Sequence, residues 1–480
     1  MAEGVLAVDL GTGRVKCAVV GLDGELIALA DRSYGLIEGA EAGWVEQDAA
    51  VWWSSTRDAI RAAVAASRGT QLVGASIGGQ GPSLVAIDEH GEPLMNAIIW
   101  MDRRAEQVRR RIADRIGRDV SPYAIVPRAA WIREHRPDVY ARTRWFLQAW
   151  DYIAYRLTGV AVASSFRASP VFPPDLVAGA DLDPARFPRE IVMGEPGGRV
   201  RADVAKDLGL PSGIPVAGGV NDSTATVVGA GVLRRGRALD LGGTSGGLAL
   251  IWDAPLRDNG LTAWPAPAAG LYVCGGPLAA AGRSLPWLMS ATGYAPGDFA
   301  GVENDARGVR PGADGLVFLP YLAGERTPLW DDHARGVLFG LTERHTRAHL
   351  ARAVFEGVAF SLRHIADLLR ESGGRLDELH VTGGQAKVAL WSRIKADVLG
   401  VPVVVPTVTE AALLGEAMLA AEGARRASDP ASAASRFVRE AARFDPDPAT
   451  SRAYETAYAT YRELYPRLRD LMDGAARDPG

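Results

Sequence analysis

Cysteine is scarce in this 480-residue chain, which contains only Cys17 and Cys274. Two cysteines that lie so far apart provide no disulfide framework, and such low cysteine use is typical of a reducing compartment. The chain also lacks a long uncharged apolar segment that could cross a bilayer, and its N-terminal residues lack the basic start of a secretion signal. We therefore expect a cytoplasmic protein with no membrane partner.

A large excess of either charge is absent as well. The net charge is −4, so nothing in the composition favours binding to nucleic acid or to an anionic membrane. What the chain does have is apolar residues, which make up 48% of its length. This content, over a chain of this length, predicts two domains of ordinary size, each with a sizeable core.

The segment LAVDLGTGRVKCAVV, residues 6–20, joins two apolar runs through a glycine-rich turn. The pattern predicts a β-hairpin. It contains neither the G-x-G-x-x-G dinucleotide fingerprint nor the G-K-[ST] of a P-loop. One interpretation is an ordinary hairpin. The other is that Gly11 and Thr12 let backbone N–H groups approach an anion, with Asp9 placed for a metal that bridges to that anion.

A second segment has the same form. Residues 237–250, RALDLGGTSGGLAL, again lead from Leu-Asp-Leu-Gly into small polar residues and then into an apolar run. Such an echo half a chain later predicts two related domains, whose glycine-rich hairpins would together hold a polyphosphate. We expect the boundary near residues 231–240 and place the domains at 1–233 and 234–480. Two unrelated hairpins are the alternative.

Elsewhere the chain alternates predicted strands and helices, which is typical of an α/β protein. A helix is expected after Asp48, its N-cap, and residues 351–370 carry a helical stripe of apolar core positions. Residues 378–406 are predicted to form a strand, a glycine turn, a helix and a strand. A tyrosine-rich helix near the C-terminus is expected to kink at Pro466. The proline-rich segment 167–188 predicts a surface excursion.

Taken in order, these motifs resemble the FGGY family of carbohydrate kinases, nearest to its xylulokinase-like branch. The resemblance covers nearly the whole chain and includes the segments VDLGTGRVKCAVV, GWVEQDAAVWW, IGGQGPSLVAIDEHGEPLMNAIIWMDRRA, DYIAYRLTG, PVAGGVNDSTATVVGAG, DLGGTSGG, GLVFLPYLAGERTPLWDDHARGVLFGLT and HVTGGQAKVALWSRIKADVLGVPVVVP. It implies two actin-like (ribonuclease H-like) ATPase domains, with sugar and ATP in an interdomain cleft. By this resemblance residues 1–233 bind the sugar. Residues 234–480, with the C-terminal helix, bind the nucleotide.

The family's reaction transfers the γ-phosphoryl group of ATP to a sugar hydroxyl, which requires a positioned hydroxyl, a proton acceptor and a divalent metal. The resemblance implies ATP with Mg²⁺ as the donor and Asp222, in the segment GGVND, as the general base. Asn221 would then hydrogen-bond sugar hydroxyls. An aspartate in such a turn is otherwise often a helix N-cap, here for the helix STATVVGAG.

The same resemblance implies which residues bind the phosphates and the nucleotide. Asp9 matches a metal and phosphate position. Lys16 belongs to the same hairpin, with an outward-facing strand residue as the alternative. For the turn near residue 383, which resembles an adenosine-binding turn, a plain strand-to-helix turn is the alternative. The full predicted set is Asp9, Gly11, Thr12, Lys16, Gly243, Thr244, Ser245, Gly383, Gly384 and Gln385.

Substrate positions are implied at Gln80, Gly81 and Pro82. Xylulokinases tend to carry Met-His after this glutamine, so the Gly-Pro here leaves the sugar open between a ketopentose such as xylulose and a related sugar or polyol. Asp102 matches a substrate carboxylate position, with a surface salt bridge as the alternative. Tyr123 matches a sugar-contacting aromatic residue of some members.

Two other classes of protein remain as alternatives. An actin-like ATPase has no sugar acceptor, and a sugar sensor on the same fold has no catalysis. The segments GGQGPS, WMDRR and GGVND argue against the first, and the retention of Asp9 and Asp222 argues against the second. The sequence predicts a small-molecule sugar substrate and no nucleic-acid partner. It leaves the oligomeric state open, with a homodimer as one candidate.

Overall fold

The computed structural model describes residues 2–39, 41, 43–165 and 169–477, with side chains as far as residue 473. Its contacts divide the chain into two compact units. Unit 1 is Met1–Gly231 together with Ala411–Val438, and unit 2 is Val232–Glu410 together with Arg439–Gly480. Each unit is built on its own central β-sheet.

The first half of the chain supplies most of unit 1. Its strands are β1 (Ala2–Leu10), β2 (Arg14–Gly21), β3 (Leu26–Ser33), β4 (Ile37–Glu38), β5 (Val45–Gln47), β6 (Thr70–Gly79), β7 (Leu84–Ile87), β8 (Ala97–Ile98), β9 (Trp145–Gln148), β10 (Val162–Ser165), β11 (Arg189–Val192), β12 (Pro196–Arg199) and β13 (Pro215–Ala217). Its helices are α1 (Ala49–Ala66), α2 (Glu106–Ile116), α3 (Val126–His135), α4 (Pro137–Arg142), α5 (Ala149–Thr158), α6 (Pro174–Gly179), α7 (Ala202–Leu208) and α8 (Asp222–Gly229). A short 3₁₀ helix spans Pro184–Arg186.

The second half supplies unit 2 and two helices of unit 1. Its strands are β14 (Arg237–Asp240), β15 (Gly247–Trp252), β16 (Thr262–Pro265), β17 (Tyr272–Pro277), β18 (Val317–Leu319), β19 (Val337–Phe339), β20 (Glu378–Val381), β21 (Val403–Pro406) and β22 (Glu440–Phe444). Its helices are α9 (Ser284–Thr292), α10 (Phe299–Arg307), α11 (Arg347–Glu371), α12 (Ala389–Leu399), α13 (Ala411–Gly423), α14 (Pro430–Phe437), α15 (Pro448–Ala453) and α16 (Glu455–Arg477). Short 3₁₀ helices span Ala313–Gly315 and Gly383–Lys387.

The central sheet of unit 1 has the strand order β12-β13-β6-β1-β2-β3. β1 pairs antiparallel with β2 and parallel with β6, which in turn pairs parallel with β13. Residues 5–8 of β1 are fully buried, which is the pattern of a central strand in a sheet covered by helices. Because parallel strands run in one direction, the carboxyl ends of β1, β6 and β13 meet at one edge of this sheet.

The central sheet of unit 2, with the order β16-β17-β15-β14-β20-β21-β22, repeats this arrangement. β14 pairs antiparallel with β15 and parallel with β20, and β20 pairs parallel with β21. β14, β15, β20 and β21 thus take the places of β1, β2, β6 and β13. The echo between the two hairpins predicts related domains, and the shared strand order confirms this prediction.

One segment lies in a different unit from the one that the sequence predicts. Residues 411–438 fall within the predicted C-terminal domain, 234–480, but they belong to unit 1, where α13 packs against β1, β6 and α8. Most residues of α13 are apolar or small, and they are buried. Such a composition predicts a buried helix without indicating which sheet the helix covers.

Several predicted helices are confirmed. Asp48 caps α1 by accepting a hydrogen bond from Ala50 N at 2.8 Å. Gly400 ends α12 in the left-handed conformation that glycine favours, with φ at 69°. α16 continues through Pro466, and the kink predicted there stays a prediction. None of the helices in the described ranges combines the length and the apolarity that a bilayer span requires.

The proline-rich segment 167–188 is not a surface excursion from residue 169 onward. It forms α6 and a 3₁₀ helix, and Leu176 and Leu182 are buried in a core cluster that includes Ile112 of α2. Residues 166–168 lie outside the described part of the chain. Prolines fix φ and begin short helices readily, but they do not decide whether the neighbouring apolar side chains are buried.

Candidate active site

Three polar residues of unit 1 follow strands that end at the same edge of its sheet. Asp9 is the last residue but one of β1, Gln80 follows β6 directly, and Asp222 begins α8 soon after β13. Gln80 N donates to Leu10 O at 2.8 Å, which joins the ends of β1 and β6. The strand order therefore brings together residues that lie far apart in the sequence.

The loop before α8 is held against β6. Gly79 N donates to Val220 O at 3.1 Å, and Gly79 forms a parallel bridge with Asn221. Asn221 Oδ1 accepts from Thr224 N at 2.9 Å, which makes Asn221 the N-cap of α8. The interpretation of Asp222 as the cap is therefore wrong by one residue. Asp222 is the first residue of the helix, and the amide NH₂ group of Asn221 takes no part in the cap.

The Asp222 carboxyl is accessible and only lightly bonded. Its Oδ1 accepts from Ser223 N at 2.7 Å and from the Ser223 hydroxyl at 3.3 Å. The side chain is exposed enough for a hydroxyl to reach it, but the surrounding protein displaces bulk water. This desolvation raises the pKa of Asp222 above its usual value, while the two bonds from Ser223 act in the opposite direction. An accessible carboxyl with a raised pKa suits a general base.

The tip of the β1–β2 hairpin is fixed from outside the hairpin. The Tyr34 hydroxyl donates to Gly11 O. Burial, reinforced by the charge of Asp9, raises the pKa of Tyr34 well above its ordinary value, so this hydroxyl stays a donor. Lys16 lies opposite Asp9 in the β1–β2 register and opposite Asp31 in the β2–β3 register. The two predicted phosphate residues Asp9 and Lys16 are thus cross-strand neighbours.

Gln47 connects the hairpin tip with Gln80. It is 1% exposed, its Nε2 donates to Thr12 O at 2.7 Å, and its Oε1 accepts from Gln80 Nε2 at 2.6 Å. Trp52 Nε1 also donates to Gln47 Oε1, at 3.2 Å. The NH₂ group of Gln80 is therefore engaged. Its Oε1 is buried and has no hydrogen-bond partner among the residues that the structure describes.

The residues after Gln80 lie against an aromatic ring. A Cβ added to Gly81 would come within 2.8 Å of Trp150 Cζ3, so the Trp150 ring already fills the space beside Gly81. Pro82 follows, and the hydroxyl of the fully buried Ser83 also lacks a hydrogen-bond partner within the described ranges. Buried polar atoms without partners are expected to be satisfied by water or by a ligand.

Asp102 is engaged within the protein. Its side chain is 0% exposed, it forms an ion pair with Arg104 whose shortest contact is 2.7 Å, and its Oδ2 accepts from Val45 N at 2.7 Å. The Arg104 guanidinium lies over the rings of Trp44 and Trp131, 4.0 and 4.9 Å from their centroids. Asp102 therefore forms a salt bridge that is buried, not at the surface, and both of its oxygens are occupied. Its contact with a substrate stays a prediction.

Among the described residues of unit 1, two aromatic side chains are open to solvent. Tyr123 is 60% exposed, and its contact with a sugar stays a prediction. Trp100, in the segment WMDRR, is 40% exposed and donates from Nε1 to Thr12 Oγ1 at 3.0 Å. Trp100 therefore presents its ring beside the hairpin tip.

In unit 2 the loop between β14 and β15 leaves the predicted phosphate residues open. Gly243 and Thr244 are exposed. The carbonyls of Thr244 and Ser245 accept from Arg283 N and Ala281 N at 2.9 and 2.8 Å. These backbone bonds fix the loop without using the hydroxyls of Thr244 and Ser245.

The predicted adenosine turn is a 3₁₀ helix, Gly383–Lys387, that lies close to this loop. A Cβ on Gly242 would lie 2.0 Å from Thr382 O, and Gly242 has φ at 58°. Only glycine fits such an approach without strain. Gly384 is exposed, so its backbone is open to a ligand.

Gln385 faces the interior of unit 2. Its side chain is 3% exposed, and its Oε1 accepts from Lys395 Nζ at 2.7 Å. Its Nε2 donates a long bond, 3.5 Å, to Gly243 O. The side chain therefore braces the 3₁₀ helix against the hairpin loop.

Residues 4–229 match the N-terminal domain of the "FGGY family of carbohydrate kinases", and residues 241–424 match its C-terminal domain. The chain belongs to this family. The second match extends into α13, which packs in unit 1, so the family domain and the compact unit differ at that helix.

Several relatives of this FGGY kinase match it over nearly its full length. It is 30% identical over 490 residues to the xylulose kinase of Bacillus subtilis, with 97% of each chain covered. The structure of xylulose kinase from Rhodospirillum rubrum matches 98% of this chain and 100% of its own, with a TM-score of 0.84 and 29% identity. Gluconate kinase from Lactobacillus acidophilus has a TM-score of 0.85 over 98% of both chains, and its 23% identity supports the fold alone.

Family membership decides between the classes of function. An FGGY kinase is a sugar kinase with ATP as a substrate, so the ATPase without an acceptor and the non-catalytic sensor are set aside. The fold is the two-domain, actin-like one that the resemblance implies.

Sequence reasoning missed two residues of this FGGY kinase. Gln47 lies in the segment GWVEQDAAVWW, and Trp100 lies beside Asp102, so both fall within quoted motifs. The signal for Gln47 is a polar residue between Val45 and the N-cap Asp48, at a position where the strand alternation predicts burial. No local signal indicates which two loops it joins.

Proposed function

We propose that this FGGY kinase transfers the γ-phosphoryl group of MgATP to a hydroxyl of a ketopentose, with xylulose as the first candidate. The observation that carries the proposal is the meeting of Asp9, Gln80 and Asp222 at one sheet edge of unit 1. This reaction needs a ligand for the phosphate-bound metal, an amide that binds the sugar and a proton acceptor. Asp9, Gln80 and Asp222 would supply them in that order. Similarity to two proteins named xylulose kinase, at 30% and 29% identity, supports the choice of sugar.

The sugar would bind to unit 1 through Gln80, Gly81, Pro82 and Asn221, with Tyr123 as a further contact. Gln80 Oε1 is a buried acceptor without a partner among the described residues, and the NH₂ group of Asn221 is a donor. Together they can bind a hydroxyl group in both of its hydrogen-bonding roles. The Trp150 ring beside Gly81 limits the space on that side, which favours a small sugar.

The chemical step assigns one role to Asp222. The sugar hydroxyl attacks the γ-phosphorus, and the Asp222 carboxylate accepts the hydroxyl proton. A sugar O–P bond forms as the bond from the γ-phosphorus to its bridging oxygen breaks, and ADP leaves with that electron pair. Asp222 then returns the proton to water. A positioned carboxylate base contributes about 10²–10⁴-fold to such a step.

The phosphates would bind to Gly11, Thr12 and Lys16 of unit 1, and Asp9 would act on them by holding the metal ion. In unit 2 the proposed nucleotide residues are Gly243, Thr244, Ser245, Gly383 and Gly384, with Gln385 bracing them. No group of three or more potential metal ligands occurs within the described ranges. A single carboxylate, Asp9, fits Mg²⁺, which takes most of its ligands from phosphates and water. When bound, the ion would neutralise phosphate charge during transfer.

The test is ADP release with MgATP over ketoses, aldoses, polyols and gluconate, for the wild type and Asp222→Asn. Asp203→Asn is the matched control, because Asp203 is an exposed aspartate in the first turn of α7 in the same unit. We expect turnover on one sugar, lost by about 10²–10⁴-fold in Asp222→Asn and unchanged in Asp203→Asn. Sugar-dependent turnover that persists in Asp222→Asn would overturn the role of Asp222.

A different preferred sugar would replace xylulose and leave the kinase assignment standing. ADP release that needs no sugar and survives in Asp222→Asn would contradict the proposal as a whole. The cytoplasmic location and the homodimer stay predictions from the sequence.

A further inference from the structure

Glu416 is a fully buried carboxyl on α13, a helix whose other buried residues are apolar or small. The helix packs in unit 1 against β1, β6 and α8. Moving a carboxyl from water to such a place costs free energy unless polar partners compensate. The partners of Glu416 therefore indicate what it does for the protein.

Glu416 bonds to the two chain segments that carry the proposed sugar and base residues. The Ser76 hydroxyl donates to Glu416 Oε2, and Val220 N donates to Oε1 at 3.3 Å. Ser76 lies on β6, four residues before Gln80, and Val220 lies two residues before Asp222. One carboxyl thus joins the strand that leads to the sugar residue and the loop that leads to the base.

The carboxyl also occupies space that two glycines leave open. A Cβ on Gly78 would come within 2.2 Å of Glu416 Oε1, and a Cβ on Gly219 would come within 2.8 Å of Oε2. At Gly78 the carboxyl is the nearest obstacle to a side chain, whereas at Gly219 the carbonyl oxygen of Ile77, 1.8 Å from the added Cβ, is nearer than the carboxyl. Gly78 belongs to the end of β6 and Gly219 to the loop before α8, so the carboxyl lies directly behind both segments.

A neutral acid is the form that suits this place. Burial raises the pKa of Glu416 to about 8; the bonds from Ser76 and Val220 oppose this, and the charge of Asp9 adds to it. Near pH 7 the carboxyl is therefore largely uncharged. Glutamine has the same shape, keeps an acceptor for Val220 N and a polar partner for Ser76, and is the conservative variant.

We propose that Glu416 is a positioning residue for phosphoryl transfer, which holds the loop carrying Asp222 at a fixed distance from the β6 end carrying Gln80. The inference rests on the proposed function, in which Asp222 is the base. Glu416→Ala leaves Val220 N without a partner and opens a cavity behind Gly219. A displacement of about 1 Å at a reacting group can lower a rate roughly 100-fold.

The test measures kcat and KM for xylulose and for MgATP in Glu416→Ala, Glu416→Gln and Ser76→Ala. The control is Glu356→Gln. Glu356 is also a buried helical carboxyl, but it lies in unit 2 and pairs with Arg352. Hydrogen exchange of peptides that cover residues 216–224 is measured on the same proteins, because it reports the loop without any substrate.

We expect Glu416→Ala to lower kcat by about 10- to 100-fold with little change in the KM for MgATP. Ser76→Ala, which removes one bond and opens no cavity behind Gly219, should lower kcat by about 3- to 10-fold. Glu416→Gln should restore kcat to within about threefold of the wild type. Exchange at residues 216–224 should accelerate in Glu416→Ala and Ser76→Ala and not in Glu356→Gln, whose kcat should be unchanged.

The positioning role is overturned if Glu416→Ala has the kcat of the wild type. It is also overturned if the kcat of Glu416→Gln is no higher than that of Glu416→Ala. If Glu416→Ala fails to fold, Ser76→Ala and Glu416→Gln decide by the same criteria. If the wild-type enzyme shows no turnover that depends on a sugar and on Asp222, the proposed function is overturned instead. In that case the exchange of residues 216–224 still shows whether Glu416 holds the loop, and unchanged exchange rejects that as well.

Discussion

Lys395 and Asp240 form an ion pair sealed inside unit 2: Lys395 Nζ lies 2.5 Å from Asp240 Oδ2, and neither side chain is exposed. Asp240 Oδ1 accepts from Gly242 N at 3.0 Å, and Lys395 Nζ donates to Gln385 Oε1 at 2.7 Å. The pair thus joins the hairpin loop that begins at Leu241 to the 3₁₀ helix that follows β20. Both are proposed nucleotide-binding segments.

Lys395→Met should destabilise unit 2, because it leaves the Asp240 charge buried without its partner. Removing one partner of a buried ion pair costs about 3–5 kcal/mol. We expect a lower midpoint of urea unfolding and a raised KM for MgATP. Since the nucleotide loops would shift together, kcat/KM for ATP should fall more than kcat.

Lys206 provides the matched control for this substitution, since it is an exposed lysine on α7 of unit 1. Lys206→Met should leave both the unfolding midpoint and the KM for MgATP unchanged. The double variant Lys395→Met with Asp240→Leu should recover much of the lost stability, because replacing a whole buried pair by apolar residues is often neutral. If Lys395→Met were as stable as the wild type, the ion pair with Asp240 would not stabilise unit 2.

The hairpins and their sheet edge could be predicted from the sequence because their signals are local. Asp9 interrupts an apolar run near the end of its strand, Gln80 follows its strand directly, and the glycine-rich turns are visible in a few residues. Parallel pairing of β1, β6 and β13 is enough to place their carboxyl ends at the same edge of the sheet. The second hairpin at residues 237–250 is predictable for the same reason.

What could not be predicted depends on partners that are distant in sequence. Asp102 pairs with Arg104, two residues away, but its burial depends on Trp44 and Trp131, which cover Arg104. The location of α13 and the role of Glu416 depend on which sheet the helix covers. The N-cap of α8 was ambiguous for a different reason, because adjacent Asn and Asp are equally good caps.

Ser223→Ala should move the acid limb of the pH profile of kcat/KM to higher pH. Asp222 must be deprotonated to accept a proton, and the Ser223 hydroxyl, 3.3 Å from its Oδ1, stabilises the charged form. Without that donor the pKa of Asp222, already raised by desolvation, rises further. We expect the acid limb of the variant to lie at higher pH than that of the wild type, measured at saturating MgATP over the whole pH range in which both proteins stay folded.

Thr226→Val is the control for this shift. The Thr226 hydroxyl donates to the backbone carbonyl of Asp222 at 2.7 Å and not to its carboxylate. The acid limb should therefore stay where the wild type has it. A Ser223→Ala profile that coincides with the wild type would show that the limb belongs to another group.

Asp151→Asn should flatten the pH dependence of stability between about pH 4 and 7. Burial raises the pKa of Asp151 to about 7, against the bonds that it accepts from Gln148 and Ser164. The folded state therefore retains a proton that the unfolded state loses above about pH 4. The stability that this group contributes is complete below that pH and is lost as the pH rises through about 7.

The measurement is the melting temperature from pH 4.5 to 8 for Asp151→Asn and the wild type. The asparagine has one carbonyl oxygen where the carboxyl has two, so it loses a bond from Gln148 or Ser164 at every pH. Because the wild type alone loses stability through this group as the pH rises towards about 7, the difference between the two melting temperatures should shrink with rising pH, and the variant should have the smaller slope. Asp203→Asn, at an exposed position, should keep the wild-type slope. Equal slopes in Asp151→Asn and the wild type would mean that Asp151 does not carry the shifted proton.

Gln47→Leu should impair the sugar side of the reaction, because Gln47 ties two of its parts together. Its Nε2 donates to Thr12 O at 2.7 Å, and its Oε1 accepts from Gln80 Nε2 at 2.6 Å. Leucine fills the same volume but leaves the buried Gln80 amide and the Thr12 carbonyl without these partners. We expect kcat/KM for the sugar to fall by about 10- to 100-fold, with a smaller change in the KM for MgATP.

Trp52→Phe tests whether the loss of activity in Gln47→Leu comes from the lost bond to Gln80 or from disturbed packing around Gln47. Trp52 Nε1 donates to the same Gln47 Oε1 at 3.2 Å, and phenylalanine removes only that donor while it keeps an aromatic ring in the core. Gln47 retains its bonds to Thr12 and Gln80 in this variant, so kcat/KM for the sugar should stay within about threefold of the wild type. The bonds from Gln47 to Thr12 and Gln80 survive in Trp52→Phe. If Trp52→Phe and Gln47→Leu lose the same amount of activity, the loss therefore comes from disturbed packing around α1 and not from these two bonds.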